Sequence, residues 1–242
     1  MLKNIVLQSL IDTNYSTYIT ELLIQFSHPG MPNPTTTTRK DIIIVPRWAG
    51  APHHDWYPWL EEQLRAVAPE DGVEYNVQTL PMPAWDLPVI EQAVDYLMTV
   101  LPPAKVGSHV YLVGHSVGCL AILHYLARLA EQHPGTKQVG GVLCVAGWFS
   151  VDSPWQDILN WMQAPINYEA ARALIPEDKL MVLLSDDDPY TSGYQDNERL
   201  WVERLHSRVH ILHGRQHFSA QLDFDVRDAV RDLAGALTSL SS

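Results

Sequence analysis

The stretch Val110-Tyr111-Leu112-Val113-Gly114-His115-Ser116-Val117-Gly118-Cys119-Leu120-Ala121-Ile122-Leu123 decides the reading of this chain. An unbroken apolar run, a Gly-x-Ser-x-Gly pentad and an apolar stretch of helical character follow one another without a spacer. A strand that reverses into a helix within a residue or two must hold the turning residue, Ser116, at a strained φ/ψ. Side chains at 114 and 118 would then collide with each other or with a neighbouring strand, so both positions require glycine. Random placement of 14 serines and 13 glycines in 242 residues yields only about 0.04 such pentads, before any strand or helix is demanded around them.

The same rhythm extends outward. Ile42-Ile43-Ile44-Val45, Val142-Leu143-Cys144-Val145-Ala146, Leu180-Met181-Val182-Leu183-Leu184 and the weaker Val209-His210-Ile211-Leu212 are continuous rather than alternating. Strands covered by helices on both faces of a parallel sheet read this way. Val73 to Leu80 does alternate and reads as a further, less buried strand. Helical patterns fall between the runs, at Trp59 to Val67, Val89 to Val100, Val117 to Ala130, Asn197 to Leu205 and Ala220 to Leu237. The alternation predicts an α/β chain with a doubly wound, mostly parallel sheet of about six strands. Ligands in such sheets bind at the carboxyl ends of the strands, so the residues just after each run are the ones to inspect.

Composition removes several function classes. Lys+Arg 16 against Asp+Glu 28 gives a formal net charge of -12, which repels nucleic acid and anionic membrane surfaces. Two cysteines, Cys119 and Cys144, lie inside apolar stretches and read as reduced, buried thiols of a cytoplasmic protein. No run approaches the roughly 18 to 20 apolar residues that cross a bilayer. Gln8 and Asp12 interrupt the early apolar residues, and no small-residue cleavage site follows, so the N-terminus reads as retained. Residues 1–40 form an arm and a Pro/Thr linker, with His28-Pro29-Gly30-Met31-Pro32-Asn33-Pro34 and Thr35 to Thr38 extended. The arm either docks on the domain at 41–242 or joins two copies as a homodimer.

A lone serine is a weak nucleophile and needs a base. In the α/β-hydrolase order, serine is followed by an acid and then a histidine, each at a later strand end. One run closes in Ser185-Asp186-Asp187-Asp188-Pro189, the last in His213-Gly214-Arg215-Gln216-His217-Phe218. Asp-Pro at the start of a turn aims a carboxylate rigidly, which favours Asp188, with Asp187 its rival. His217 lies in a loop past the strand, whereas His213 and His210 belong to the strand and its end. Three adjacent carboxylates can also hold a hard cation, but no Gly-punctuated loop or distant Glu accompanies them. His53-His54-Asp55 offers no third metal ligand.

These motifs, taken in order, resemble the small α/β-hydrolases typified by retinoblastoma-binding protein 9. The likeness rests on Ile44-Val45-Pro46, His54-Asp55-Trp56-Tyr57-Pro58-Trp59-Leu60, Leu80-Pro81-Met82-Pro83, Gly114-His115-Ser116-Val117-Gly118-Cys119, Asp187-Asp188-Pro189-Tyr190 and Gly214-Arg215-Gln216-His217-Phe218. It spans roughly 200 residues. It implies Ser116, Asp188 and His217 as catalytic residues, with no metal or cofactor. It also implies an oxyanion hole from the amides of Val117 and Trp48. Two departures stand out. Arg47 occupies a position where the family carries Gly, and residues 1–40 have no counterpart.

Acyl transfer needs two amides aimed at the developing oxyanion. Arg47 in place of Gly puts strain on the turn that supplies the second, or else Arg47 faces the pocket and pairs with an acidic substrate group. Residues 147–178 occupy the place of a lid and are few, so the lid is minimal. Trp148 and Phe149 follow a strand end and are expected to line an acyl pocket; Trp56, Tyr57 and Trp59 read as packing. The expected activity is hydrolysis of a carboxylic ester or thioester on a small acyl substrate. The rivals are a biosynthetic thioesterase or acyltransferase and a protein-binding module on the same fold.

Overall fold

The computed structural model describes residues 37–236. Six strands, β1 (Thr38–Val45), β2 (Val73–Thr79), β3 (Val110–His115), β4 (Gly141–Val145), β5 (Leu180–Ser185) and β6 (Arg208–Leu212), form one sheet in the order β2-β1-β3-β4-β5-β6. Every pairing is parallel. The helices are α1 (Tyr57–Asp71), α2 (Ile90–Val100), α3 (Val117–Gln132), α4 (Gln156–Gln163), α5 (Tyr168–Ala173), α6 (Tyr194–Leu205) and α7 (Phe224–Leu233).

The continuous runs have a direct cause. Successive strand residues point to opposite faces, and here each face is a core. Ile43, Val45, Leu112, Cys144 and Val182 pack with α2, α3 and α6, whereas Ile42, Ile44, Val113, Leu143 and Leu183 pack with α1 and α7. Every residue from Ile42 to Val45 is therefore at most 5% exposed. The two runs that read weakly from sequence, in β2 and β6, are the two edges of the sheet.

Helix boundaries shift where end chemistry outweighs periodicity. Helix α1 begins two residues before Trp59, because Pro58 suits a first helical turn. Helix α7 begins at Phe224 rather than Ala220, because the Asp223 carboxylate accepts a hydrogen bond from the Val226 amide (3.0 Å) and starts the helix there. Helix α4, inside the short lid region, had no separate signal. Thr38 to Lys40 join β1, while residues 1–36 of the arm, with any assembly role, lie outside the described residues. Among those residues no helix is long and apolar enough to cross a membrane, and Cys119 and Cys144 are free and buried.

From β1 the chain goes to the edge strand β2, then crosses back to β3 on the other side of β1. This reversal opens a crevice at the carboxyl ends of β1 and β3. The start of α3 closes on it: a Cβ at Gly118 would meet the carbonyl oxygen of Val45 and, at 2.8 Å, that of Pro46. Both are backbone atoms and cannot swing aside. Gly118→Ala is accordingly expected to lower stability by about 3 kcal/mol in urea unfolding. A midpoint equal to the parent's would show that α3 and β1 are not in this contact.

Candidate active site

Ser116 stands between β3 and α3 at φ 56 and ψ -122. A non-glycine residue in that region costs on the order of 1–3 kcal/mol and persists only where its surroundings impose it. The Ser116 amide donates to the Val145 carbonyl (2.8 Å), which ties the turn to β4. Below the turn, a Cβ at Gly114 would lie 2.7 Å from both the amide nitrogen and the Cα of Cys119. The collisions expected at 114 and 118 are therefore real ones, with α3 itself and with β1.

The three carboxylates after β5 divide the work of positioning the loop that follows β6. Asp186 bonds the exposed His213 ring (2.7 Å) and accepts from the Gly214 amide (3.0 Å). Asp187 accepts from the Ser185 hydroxyl (2.6 Å) and from the Gln216 amide (2.6 Å). Asp188 accepts from His217 Nδ1 (2.8 Å) and from the Tyr190 amide (3.0 Å). The hydrogen bond from His213 holds Asp186 below the usual carboxylate range, and that from Ser185 does the same for Asp187. Asp187, the rival acid, is thus committed to the Ser185 hydroxyl and the Gln216 amide. Asp188 and His217 are 8% and 7% exposed. In the neutral ring, donation from His217 Nδ1 to Asp188 leaves Nε2 bare to accept a proton.

Ser116 and His217 line one cavity of about 150 Å³. No hydrogen bond joins them among the described residues; such bonds often tighten only around a bound substrate. Val117, Arg47 and Trp48 border the same space. Around the turn after β1, the Arg47 amide is taken by Tyr57 Oη (3.1 Å), that of Ala49 by the Trp85 carbonyl (2.9 Å) and that of Gly50 by the Arg47 carbonyl (2.7 Å). The amides of Trp48 and Val117 make no hydrogen bond among the described residues. Two unclaimed donors beside a hydroxyl are what an oxyanion would use.

Arg47 does not strain the turn, because the left-handed residue is Ala49 (φ 53). Its guanidinium borders the cavity but is already engaged, with Nε and Nη2 on Asp55 (2.7 and 3.2 Å) and Nη1 on the Trp48 carbonyl (3.1 Å). It holds the turn's shape with three of its five donors, at the border of the cavity where a substrate contact was expected. Phe149 needs correcting. It borders no part of the cavity and stacks on Trp201 with centroids 4.6 Å apart, while the Asn197 side chain captures its amide (2.6 Å). Trp148 does line the cavity, joined by Trp155 and Ile158 around α4 and by Tyr190. Their signals in the sequence were weak: an aromatic in a short lid, and a tyrosine next to Asp-Pro.

Sequence reasoning also missed the links behind the site. Tyr57 is buried as expected, but its hydroxyl lies 2.8 Å from His115 Nδ1, and His115 Nε2 lies 2.9 Å from the His217 carbonyl. A carbonyl only accepts, so Nε2 carries the proton and Nδ1 accepts from Tyr57. Trp56 likewise donates to the Phe218 carbonyl (3.0 Å). Of the trio at 53–55, Asp55 belongs to Arg47, and His54 Nδ1 accepts from the Ala51 amide (3.2 Å).

Burial, reinforced by the neighbouring His217 and Arg47, pushes the His115 pKa well below 6.5. Burial and the charge of Arg128 take His124 to about 4. A folded pKa below the unfolded value means that the folded chain binds fewer protons. The stabilisation is then present above about pH 6.5 and lost as pH falls below it. Urea unfolding is expected to show a stability that falls as pH is lowered from about 8 to about 5. A stability independent of pH across that range would contradict a neutral, doubly bonded His115.

The family model described as serine hydrolase matches residues 42–233. Over 109 residues, 45% of this chain, the sequence is 33% identical to YdeN of Bacillus subtilis (strain 168); the match spans 51% of YdeN, about half its length. The solved structure of the ydeN gene product from B. subtilis superposes with a TM-score of 0.68 at 22% identity, covering 81% of this chain and 99% of that one. Est1E from Butyrivibrio proteoclasticus gives a TM-score of 0.56 at 13% identity, over 84% of this chain and 90% of that one. The RedJ thioesterase from the prodiginine pathway of Streptomyces coelicolor gives 0.53 at 14% identity, over 87% and 90%. At such identities the structural likeness shows the fold, an α/β-hydrolase fold. The matched segment runs from β1 into α7 and takes in the Ser116 turn, the carboxylates after β5 and the His217 loop, and the chain belongs to the serine hydrolase family.

Proposed function

We propose that this hydrolase cleaves a carboxylic ester or thioester through an acyl-enzyme on Ser116. His217 Nε2 takes the hydroxyl proton as Ser116 attacks the carbonyl carbon, and the same imidazolium then protonates the leaving group. Asp188 holds the ring in the tautomer that leaves Nε2 bare, and it offsets the imidazolium charge. The amides of Val117 and Trp48 donate to the tetrahedral oxyanion. Water, activated by His217, releases the acyl group and frees Ser116.

The observation that carries this reading is the bond from His217 Nδ1 to the buried Asp188. It commits the ring to one orientation beside a cavity that Ser116 also lines. The resemblance to the small hydrolases typified by retinoblastoma-binding protein 9 supports the same pair, an Asp before Pro and a His before Phe.

A fluorophosphonate probe is expected to label the protein at Ser116, and Ser116→Ala to abolish labelling. Persistent labelling at another residue would refute the assignment. Asp188→Asn and His217→Ala are expected to lower kcat on a p-nitrophenyl ester by about 10³–10⁴ while the fold persists, as read by circular dichroism. By contrast Asp187→Asn keeps the charge relation of the reacting groups and should cost far less, through a looser His217 loop. Equal losses for Asp187→Asn and Asp188→Asn would sink the division of labour among these carboxylates. Comparing kcat/KM on p-nitrophenyl butyrate and butyryl-CoA separates ester from thioester preference.

A further inference from the structure

The cavity beside Ser116 has an enclosed wall and an open lip. Val117, Ile158 and Trp148 are 0%, 0% and 3% exposed. Trp155 and Tyr190 are 38% and 45% exposed, and their ring centroids lie 6.3 Å apart. Tyr190 also packs its ring 4.6 Å from that of His217. The opening therefore lies on the His217 side.

This asymmetry sorts the two halves of a substrate. The group that His217 protonates must depart beside His217, and hence toward the Tyr190–Trp155 lip and solvent. The acyl half is left with the enclosed wall. At about 150 Å³ the whole cavity, lip included, equals the volume of an engineered apolar cavity that takes up a single benzene, so the acyl half has no more room than that. The wall carries the Trp148 indole beside Val117 and Ile158, and an aromatic ring favours another ring as its neighbour. Resting on the acyl-enzyme reading above, we propose that the enzyme is specific for short acyl groups, up to one aromatic ring or about six carbons, while the leaving group is unrestricted in size. Ile158 and Trp148 set the limit by closing the far side.

Boronic acids, which form tetrahedral adducts with active-site serines, read the acyl half directly. Phenylboronic and butylboronic acids are expected to protect Ser116 from the fluorophosphonate probe at concentrations at least about tenfold lower than octylboronic acid. Ile158→Ala should improve protection by octylboronic acid relative to that by butylboronic acid. Naphthyl and phenyl butyrate should differ in kcat/KM by less than about threefold, since both leaving groups face the lip. Octylboronic acid protecting as well as the short acids, or a strong preference for the smaller alcohol, overturns the proposal. Tryptophan fluorescence of Ser116→Ala, titrated with methyl benzoate and methyl octanoate, probes the cavity without reaction. Tighter binding of the octanoate overturns the size limit even where labelling fails. Absent labelling with the benzoate preference retained overturns only the acyl-enzyme reading.

Discussion

The position of His217 depends on how the end of β5 grips the loop after β6. Three consecutive amides of that loop, at Gly214, Arg215 and Gln216, donate to Asp186, the Ser185 hydroxyl and Asp187. The next two carbonyls, of His217 and Phe218, accept from His115 and Trp56 on the opposite side. Gln216 and Phe218 take left-handed backbone, φ 50 and 53, and bonds on both sides of the loop supply the restraint that such strain requires. Three neighbouring carboxylates would repel one another strongly if left bare. Each here faces hydrogen-bond donors, which is why the triplet is tolerable at a strand end.

A second constraint couples the Ser116 turn to the Trp48 turn. Gly118 brings α3 against the backbone at Val45 and Pro46, so the first turn of α3 and the turn after β1 cannot shift independently. The Arg47–Asp55 pair and the Arg47 amide on Tyr57 Oη fix the outer half of that turn. Tyr57 then reaches His115 beside Ser116, and His115 reaches the carbonyl of His217. The hydroxyl, the two free amides and the imidazole thus share one rigid support. Preorganisation of this kind is where most of the rate of an acyl-transfer enzyme originates, because the donors need no rearrangement as charge develops.

The aromatic surroundings of the cavity add selectivity to this frame. Trp155 and Tyr190 come from chain segments on either side of β5, and Trp155 and Ile158 lie at the start of one short helix of the lid region, α4. A lid this small cannot enclose a long chain, and it leaves the His217 side open. On the proposed short-acyl reading, substrate size is governed by a few side chains on α4 and after β4, not by large lid motions.

Residue order was enough to disclose the sheet, the pentad and the sequence of acid and base motifs. Burial on both faces forces unbroken apolar runs in β1, β3, β4 and β5, and a strand-to-helix reversal at Ser116 demands glycine on both sides. Such requirements act between neighbours, so they leave local marks. The separate tasks of Asp186 and Asp187, the bonds of Tyr57 and His115 and the engagement of Arg47 left none, and the choice of Trp155 and Tyr190 over Phe149 at the cavity left only a faint one. Partners there stand 29 positions apart for Gln216 and Asp187 and 102 for His115 and His217. Hydrogen bonds across such spans depend on which atoms the packed helices and strand ends bring within reach, and only the folded chain decides that.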